Sequence, residues 1–192
     1  MIKGSSSLII AAFVTVFWSC GQDDHRTDTD TVNPDFNIAS PEYPALVAQA
    51  MEHLQDFDFD ALGELMSEDV EYYFPDGDIT TRTRLIGKSS VLGWWTEWQK
   101  NSGIRSMTMT LPNFFPVEAV QNLNMSGLPG VYVITYFSNE MVFAEDTASV
   151  RMNFSIHFNS EKKIDRVWAY YDRVPIIEAM KGEDYLRKSP MQ

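Results

Sequence analysis

Trp168, Tyr170 and Asp172 alternate along a largely apolar run that ends at Asp172. In an extended strand such residues share one face, which sets a carboxyl group beside aromatic walls. Desolvation there disfavours the charged carboxylate and raises its pKa toward values useful for acid–base work. Asp172 is therefore the candidate catalytic group; a strand-end aspartate that caps a turn, or pairs in solvent with Arg173 or Arg166, is the competing reading. His157 alternates with Phe158, but its face-mates Arg151, Asn153 and Ser155 are polar, which predicts an outer or dimer-facing position. His53 and His25 are too scattered to form a constellation with it. With Cys20 as the only cysteine, neither a metal site nor a cofactor is expected. No His-Glu-x-x-His, nucleophile-elbow, P-loop or dinucleotide fingerprint occurs.

Aromatic residues make up 13% of the chain, more than a core of this size needs. Tyr72, Phe74, Trp95, Trp98, Tyr136, Trp168 and Tyr170 are candidates to line a pocket for a small hydrophobic molecule, or to fill that space as core. Glu140 joins them because Ser138-Asn139-Glu140 interrupts an apolar strand, marking either a pocket group or a bulge.

The elements that must hold these residues follow from periodicity. Leu46, Val47, Ala50, Met51 and Leu54 form the buried stripe of a helix over about 41–54, with Ser40 as cap and Pro41 in its first turn. Phe59, Leu62, Leu65 and Met66 predict a short second helix capped by Asp58 or Asp60. Glu71–Phe74 reads as a strand, and Pro75-Asp76-Gly77-Asp78 as a tight turn into Ile79–Leu85. A third helix over 89–100 carries Val91, Leu92, Trp94, Trp95 and Trp98. Four long strands come next, around Met107–Leu111, Val131–Phe143, Arg151–Phe158 and Ile164–Asp172, then one amphipathic helix over 175–186. Helices first and antiparallel strands after is an α+β order. The sheet must bend strongly around helices too short to cover it flat.

The N-terminus has a separate logic. Lys3, the apolar stretch Leu8–Trp18 and Ser19-Cys20-Gly21 have the layout of a secretory signal over residues 1–19. The apolar stretch is too short to span a bilayer. A cysteine at the cut resembles the lipobox of bacterial lipoproteins, which implies lipidation at Cys20 and a lipid-anchored place in the cell envelope. Residues 20–40 read as an acidic, flexible tether and 41–192 as the domain. A net charge of -12 argues against nucleic acid and against electrostatic attraction to anionic headgroups, leaving the lipid as the only membrane attachment.

Three segments carry a family resemblance. Ala61–Glu71 resembles the second helix and first strand of the nuclear transport factor 2-like superfamily, Gly87–Trp95 the start of its third helix, and Lys162–Asp172 its closing strand. The likeness spans about residues 41–175 and is nearest the polyketide-cyclase, SnoaL-like branch. It implies a cone-shaped, curved antiparallel β-sheet wrapped over three N-terminal helices, with an apolar pocket at the open end. Members include isomerases, cyclases, dehydratases, epoxide hydrolases and domains that only bind, so the fold leaves function open. Asp172 matches the acidic residue that ends the closing strand in the epoxide-hydrolase-like relatives. Tyr72 matches their water-holding tyrosine, but Phe74 stands at the asparagine position, and Met141 and Phe143 at those of an arginine–aspartate pair. Epoxide hydrolysis by that route is not expected.

Two readings follow. The first is a membrane-tethered module that binds a small apolar ligand or a partner, and that forms a homodimer through the sheet's outer face. The second is a cyclase- or isomerase-like acid–base enzyme acting through Asp172 on a small hydrophobic carbonyl compound.

Overall fold

A computed structural model describes residues 36–188, with side chains to Leu186. The expected leader, Cys20 and most of the tether lie outside the described residues. The chain forms β1 (Phe36–Ile38), α1 (Glu42–Gln55), α2 (Phe59–Glu64), β2 (Met66–Tyr73), β3 (Arg84–Ile86), α3 (Lys88–Asn101), β4 (Ser106–Ala119), β5 (Gly130–Val142), β6 (Thr147–Phe158), β7 (Ile164–Tyr171), α4 (Val174–Ala179) and α5 (Tyr185–Lys188). Seven strands make one sheet in the order β1-β4-β5-β6-β7-β2-β3. Every pairing is antiparallel except β2 with β7.

The helices form where the apolar period demands. Val47, Ala50, Met51 and Leu54 are the buried stripe of α1. Asp58 caps α2 by accepting the Ala61 N–H at 3.0 Å. Gly87, at φ 89°, turns the chain from β3 into α3, a conformation that glycine adopts without steric cost. Val91, Trp94, Trp95 and Trp98 of α3 are then buried. The concave face of the sheet covers these helices with Val133, Phe137, Met141, Met152, Phe154 and Ile156. Curvature comes partly from the register shift between Thr110 and Asn113 in the β4–β5 ladder, where Leu111 takes φ 53°.

Several features differ from expectation: the strand expected over Ile79–Leu85 is confined to Arg84–Ile86, and the one expected at Met107–Leu111 runs on to Ala119. Phe36–Ile38, read as the end of a tether, pairs with Val117–Ala119 as an edge strand, and Ala39 is buried. Pro41 is itself the cap residue of α1. β2 begins at Met66, before Glu71. The single C-terminal helix is broken in two, because Lys181 and Gly182 both adopt positive φ. Local amphipathicity could not reveal a break made by two left-handed residues.

Phe137 is fully buried against Phe154. Phe137→Ala should cost about 3–5 kcal/mol in chemical denaturation, as for other large core truncations.

Candidate functional site

The interior of the cone is built where β2, β7 and α3 meet. Tyr72 of β2 lies edge-on to Phe74, Trp95 and Phe154, with ring centroids 4.9, 6.1 and 6.4 Å away. Trp94 stacks with Trp98, and Trp95 stands at right angles to both. This cluster largely fills the cone. Among the described residues, cavities of about 50 and 40 Å³ remain inside, both lined by Leu54, Trp95, Met109 and Phe154. A third of about 40 Å³ at the mouth is lined by Trp94, Trp98, Tyr171, Arg173 and Asp184. The C-terminal segment closes the mouth: Tyr185 lies edge-on to Trp94 at 5.9 Å, Ile176 lines the larger cavity, and Arg173 pairs with Asp184 across the turn between α4 and α5.

Inside this apolar setting stand polar atoms with no protein partner. The Tyr72 hydroxyl, Trp94 Nε1, Asn139 Oδ1 and Thr135 Oγ1 are buried on the concave side without a hydrogen bond. Asn139 Nδ2 meets only the sulfurs of Met107 and Met152, each at 3.9 Å. Burial pushes the Tyr72 phenol well above its ordinary value, with Tyr171 adding to the effect. Burial likewise pushes Tyr171 up to about 12. Both phenols are neutral at physiological pH and can donate a hydrogen bond; neither is a base.

The expected pocket residues divide between the two faces of the sheet. Tyr72, Phe74, Trp95 and Trp98 belong to the interior. Tyr136 and Glu140 do not: both point outward from β5, where Tyr136 is 44% exposed and packs on Phe115. The polar interruption does supply an interior group, but it is Asn139, which shares the alternation of Phe137 and Met141. Trp168 and Tyr170 also face outward. Their shared face is the convex one, and Asp172 lies just past the end of β7. Pairing of Met152 with Tyr171 and of Phe154 with Ala169 puts Ala169 and Tyr171 inside instead. Asp172 is exposed, and its Oδ1 accepts the Val174 N–H at 2.9 Å, capping the start of α4. The candidate catalytic carboxylate therefore stands outside the cone.

His157 is on the outer face as expected but is buried there. Its Nε2 donates to the Pro129 carbonyl at 3.0 Å, and Nδ1 lies 2.5 Å from Asp165 Oδ1. Sequence reasoning missed Tyr171 and Asn139 as interior groups. The signal available was their alternation with Ala169 and with Met141.

No protein-family model and no curated protein sequence matches the chain. Solved structures do. A protein described as a SnoaL-like polyketide cyclase from Shewanella denitrificans aligns over 75% of this chain and 100% of its own, with TM-score 0.55 and 12% identity. One described as an isomerase from Bacillus subtilis aligns over 74% and 94%, with TM-score 0.57 and 18% identity. An LEH-like epoxide hydrolase from M. tuberculosis aligns over 73% and 90%, with TM-score 0.53 and 14% identity. The fold is the nuclear transport factor 2-like cone. Identities this low establish architecture alone. Met141 and Phe143, which stand where the resemblance implies an arginine–aspartate pair, are both buried core residues.

Two outcomes follow for the ligand-free protein. Tyr72→Phe removes a buried hydroxyl without a protein partner and should raise stability by about 1–3 kcal/mol in denaturant titrations; a loss of stability would show that the hydroxyl is satisfied. For Tyr171, the folded phenol titrates near 12 and the unfolded one near 10.0. Its contribution is complete below pH 10 and is lost as pH rises toward 12, by roughly 1.4 kcal/mol per pH unit. Tyr171→Phe should flatten that alkaline decline in stability.

Proposed function

We propose that this chain is a lipid-anchored envelope protein whose cone binds a small, mainly apolar molecule carrying a carbonyl or hydroxyl oxygen. The observation that carries the reading is the set of unpartnered polar atoms inside the aromatic and methionine lining. The Tyr72 hydroxyl and the Trp94 indole N–H are donors, and Asn139 Oδ1 is an acceptor. Each costs free energy when buried alone; a ligand carbonyl or hydroxyl oxygen can accept from the two donors, and a ligand hydroxyl can also donate to Asn139 Oδ1. Met107, Met109, Met141 and Met152 supply a lining that changes shape easily. Because the cavities are small, entry requires displacement of α4 and α5, which meet the core through Ile176, Met180 and Tyr185.

The two inner cavities are lined by no ionisable acid or base other than phenols shifted upward, and the acid at the mouth, Asp184, is paired with Arg173. This favours binding over acid–base turnover at Asp172. The anchor reading rests on the sequence around Cys20, and a chain from Cys20 to β1 would keep the domain roughly 20–25 Å from the bilayer.

Cyclohexanone and methylcyclohexane make a matched pair of probes for the full chain, read by tryptophan fluorescence. The ketone should bind more tightly, and Tyr72→Phe should weaken it by roughly 3- to 10-fold while leaving the hydrocarbon unchanged. Equal effects on both probes would remove the hydrogen-bonding role. For the anchor, Cys20→Ala should move the protein from the membrane to the soluble fraction; an unchanged distribution would exclude lipidation as the attachment.

A further inference from the structure

We propose that a groove on the convex face of the sheet is a separate ligand site, for a small ring-bearing carboxylate. The groove encloses about 470 Å³, within the usual range for small-molecule sites. It lies beyond the end of β2, bounded by the 75–82 turn, the end of β7, and Met125 and Ser126 from the β4–β5 connection. Tyr171 lines both this groove and the larger cone cavity, but Tyr73, Arg82, Trp168 and Tyr170 belong to the groove alone.

Its wall is aromatic. Tyr73 stacks on Trp168 with ring centroids 5.5 Å apart and planes within 10° of parallel. Trp168 stacks in turn on Tyr132 at 6.1 Å, across the small Ser155 of the intervening strand. Tyr170 is 43% exposed at the groove. Trp168 is buried between Tyr73 and Tyr132, and the exposed Tyr170 with the half-buried Tyr73 offers the surface for a flat ring, whether an aromatic ring or the C–H face of a pyranose.

The charge in the groove gives the ligand its sign. Arg82 lies over Tyr170, 4.3 Å from the ring centroid. Its Nε and Nη2 donate to the main-chain carbonyls of Phe74 and Ala169, which hold the guanidinium in place but do not neutralise it. Asp76 and Asp78 keep their charge, but both carboxylates are turned onto donors of their own turn and its flank, and Arg84 is paired. Arg84 pairs with Glu71 at 3.3 Å. Asp76 accepts from the N–H and hydroxyl of Thr83 at 3.0 and 2.5 Å. Asp78 Oδ1 accepts the N–H groups of Thr80 and Thr81 at 2.8 and 3.1 Å. Arg82 is thus a fixed cation with carbonyl partners only, set in an aromatic groove of a chain with net charge -12. A ligand carboxylate supplies the counter-charge and matches guanidinium geometry.

The test is an NMR titration of the full chain, following the tryptophan indole N–H signals. Benzoate and glucuronate are the two acids; benzamide and glucose are their neutral counterparts. At least one acid should shift the Trp168 signal and leave those of Trp94, Trp95 and Trp98 in place, and the acid that binds identifies the ring type. The neutral counterparts should bind at least tenfold more weakly, and Arg82→Gln should weaken the acid by roughly 10- to 100-fold. Because Arg82 also ties the turn to β7, Tyr170→Ala serves as a second variant with the guanidinium retained, and it too should weaken binding. Equal binding of acid and neutral probes, no Trp168 shift with either acid, or unchanged affinity in Tyr170→Ala would each overturn the proposal. Movement of the Trp94, Trp95 and Trp98 signals alone would place the acids in the cone and overturn it as well.

Discussion

The pairing of β7 with β6 is the constraint on which the interior of this molecule rests. Met152 opposite Tyr171, and Phe154 opposite Ala169, decide which side chains of the closing strand enter the cone. Side chains alternate strictly along a strand, so a shift of one residue would exchange the two sets completely. The observed register sends Ala169 and Tyr171 inward and Trp168 and Tyr170 outward, and Asp172, one residue past the strand, is exposed. That one choice removes a carboxylate from the interior, puts a neutral phenol at the position nearest the mouth, and builds the aromatic wall of the convex groove.

The rest of the cone is consistent with this interior. Three tryptophans of α3 fill most of the space that a wider cone would leave open, and α4 and α5 cover the mouth. Burying hydroxyl, indole and amide groups without protein partners runs against the general pattern of satisfied interiors. A core designed only for stability would place apolar residues at Tyr72 and Asn139. Under the proposed reading, Tyr72 among aromatic rings and Asn139 between Met107 and Met152 are the groups an oxygen-bearing molecule would meet.

Much of the architecture was legible in the sequence. The apolar stripes of α1 and α3, the alternation of β4 to β7 and the order of elements all arise from local periodicity, which survives folding unchanged. Alternation also grouped Trp168 with Tyr170 correctly. It could not say which side of the sheet they occupy, because both faces of β7 are apolar: Trp168 is as well buried on the convex side as Val167 is on the concave side. The same ambiguity led to Glu140 in place of Asn139. The β1 strand was hidden because Phe36–Ile38 is a short exposed edge segment, with Ile38 90% exposed, and is held by pairing with Val117–Ala119 more than by any periodic burial.

The face assignment of β7 is open to a direct measurement: native-state thiol labelling of Ala169→Cys and Asp172→Cys in a chain whose single native cysteine has been changed by Cys20→Ser. The two positions are three residues apart and so face opposite ways. With Ala169 fully buried and Asp172 exposed, Asp172→Cys should label at once in the folded protein. Ala169→Cys should label only as fast as the protein unfolds. Rapid labelling of Ala169→Cys with protection of Asp172→Cys would place the carboxylate inside the cone and contradict the account.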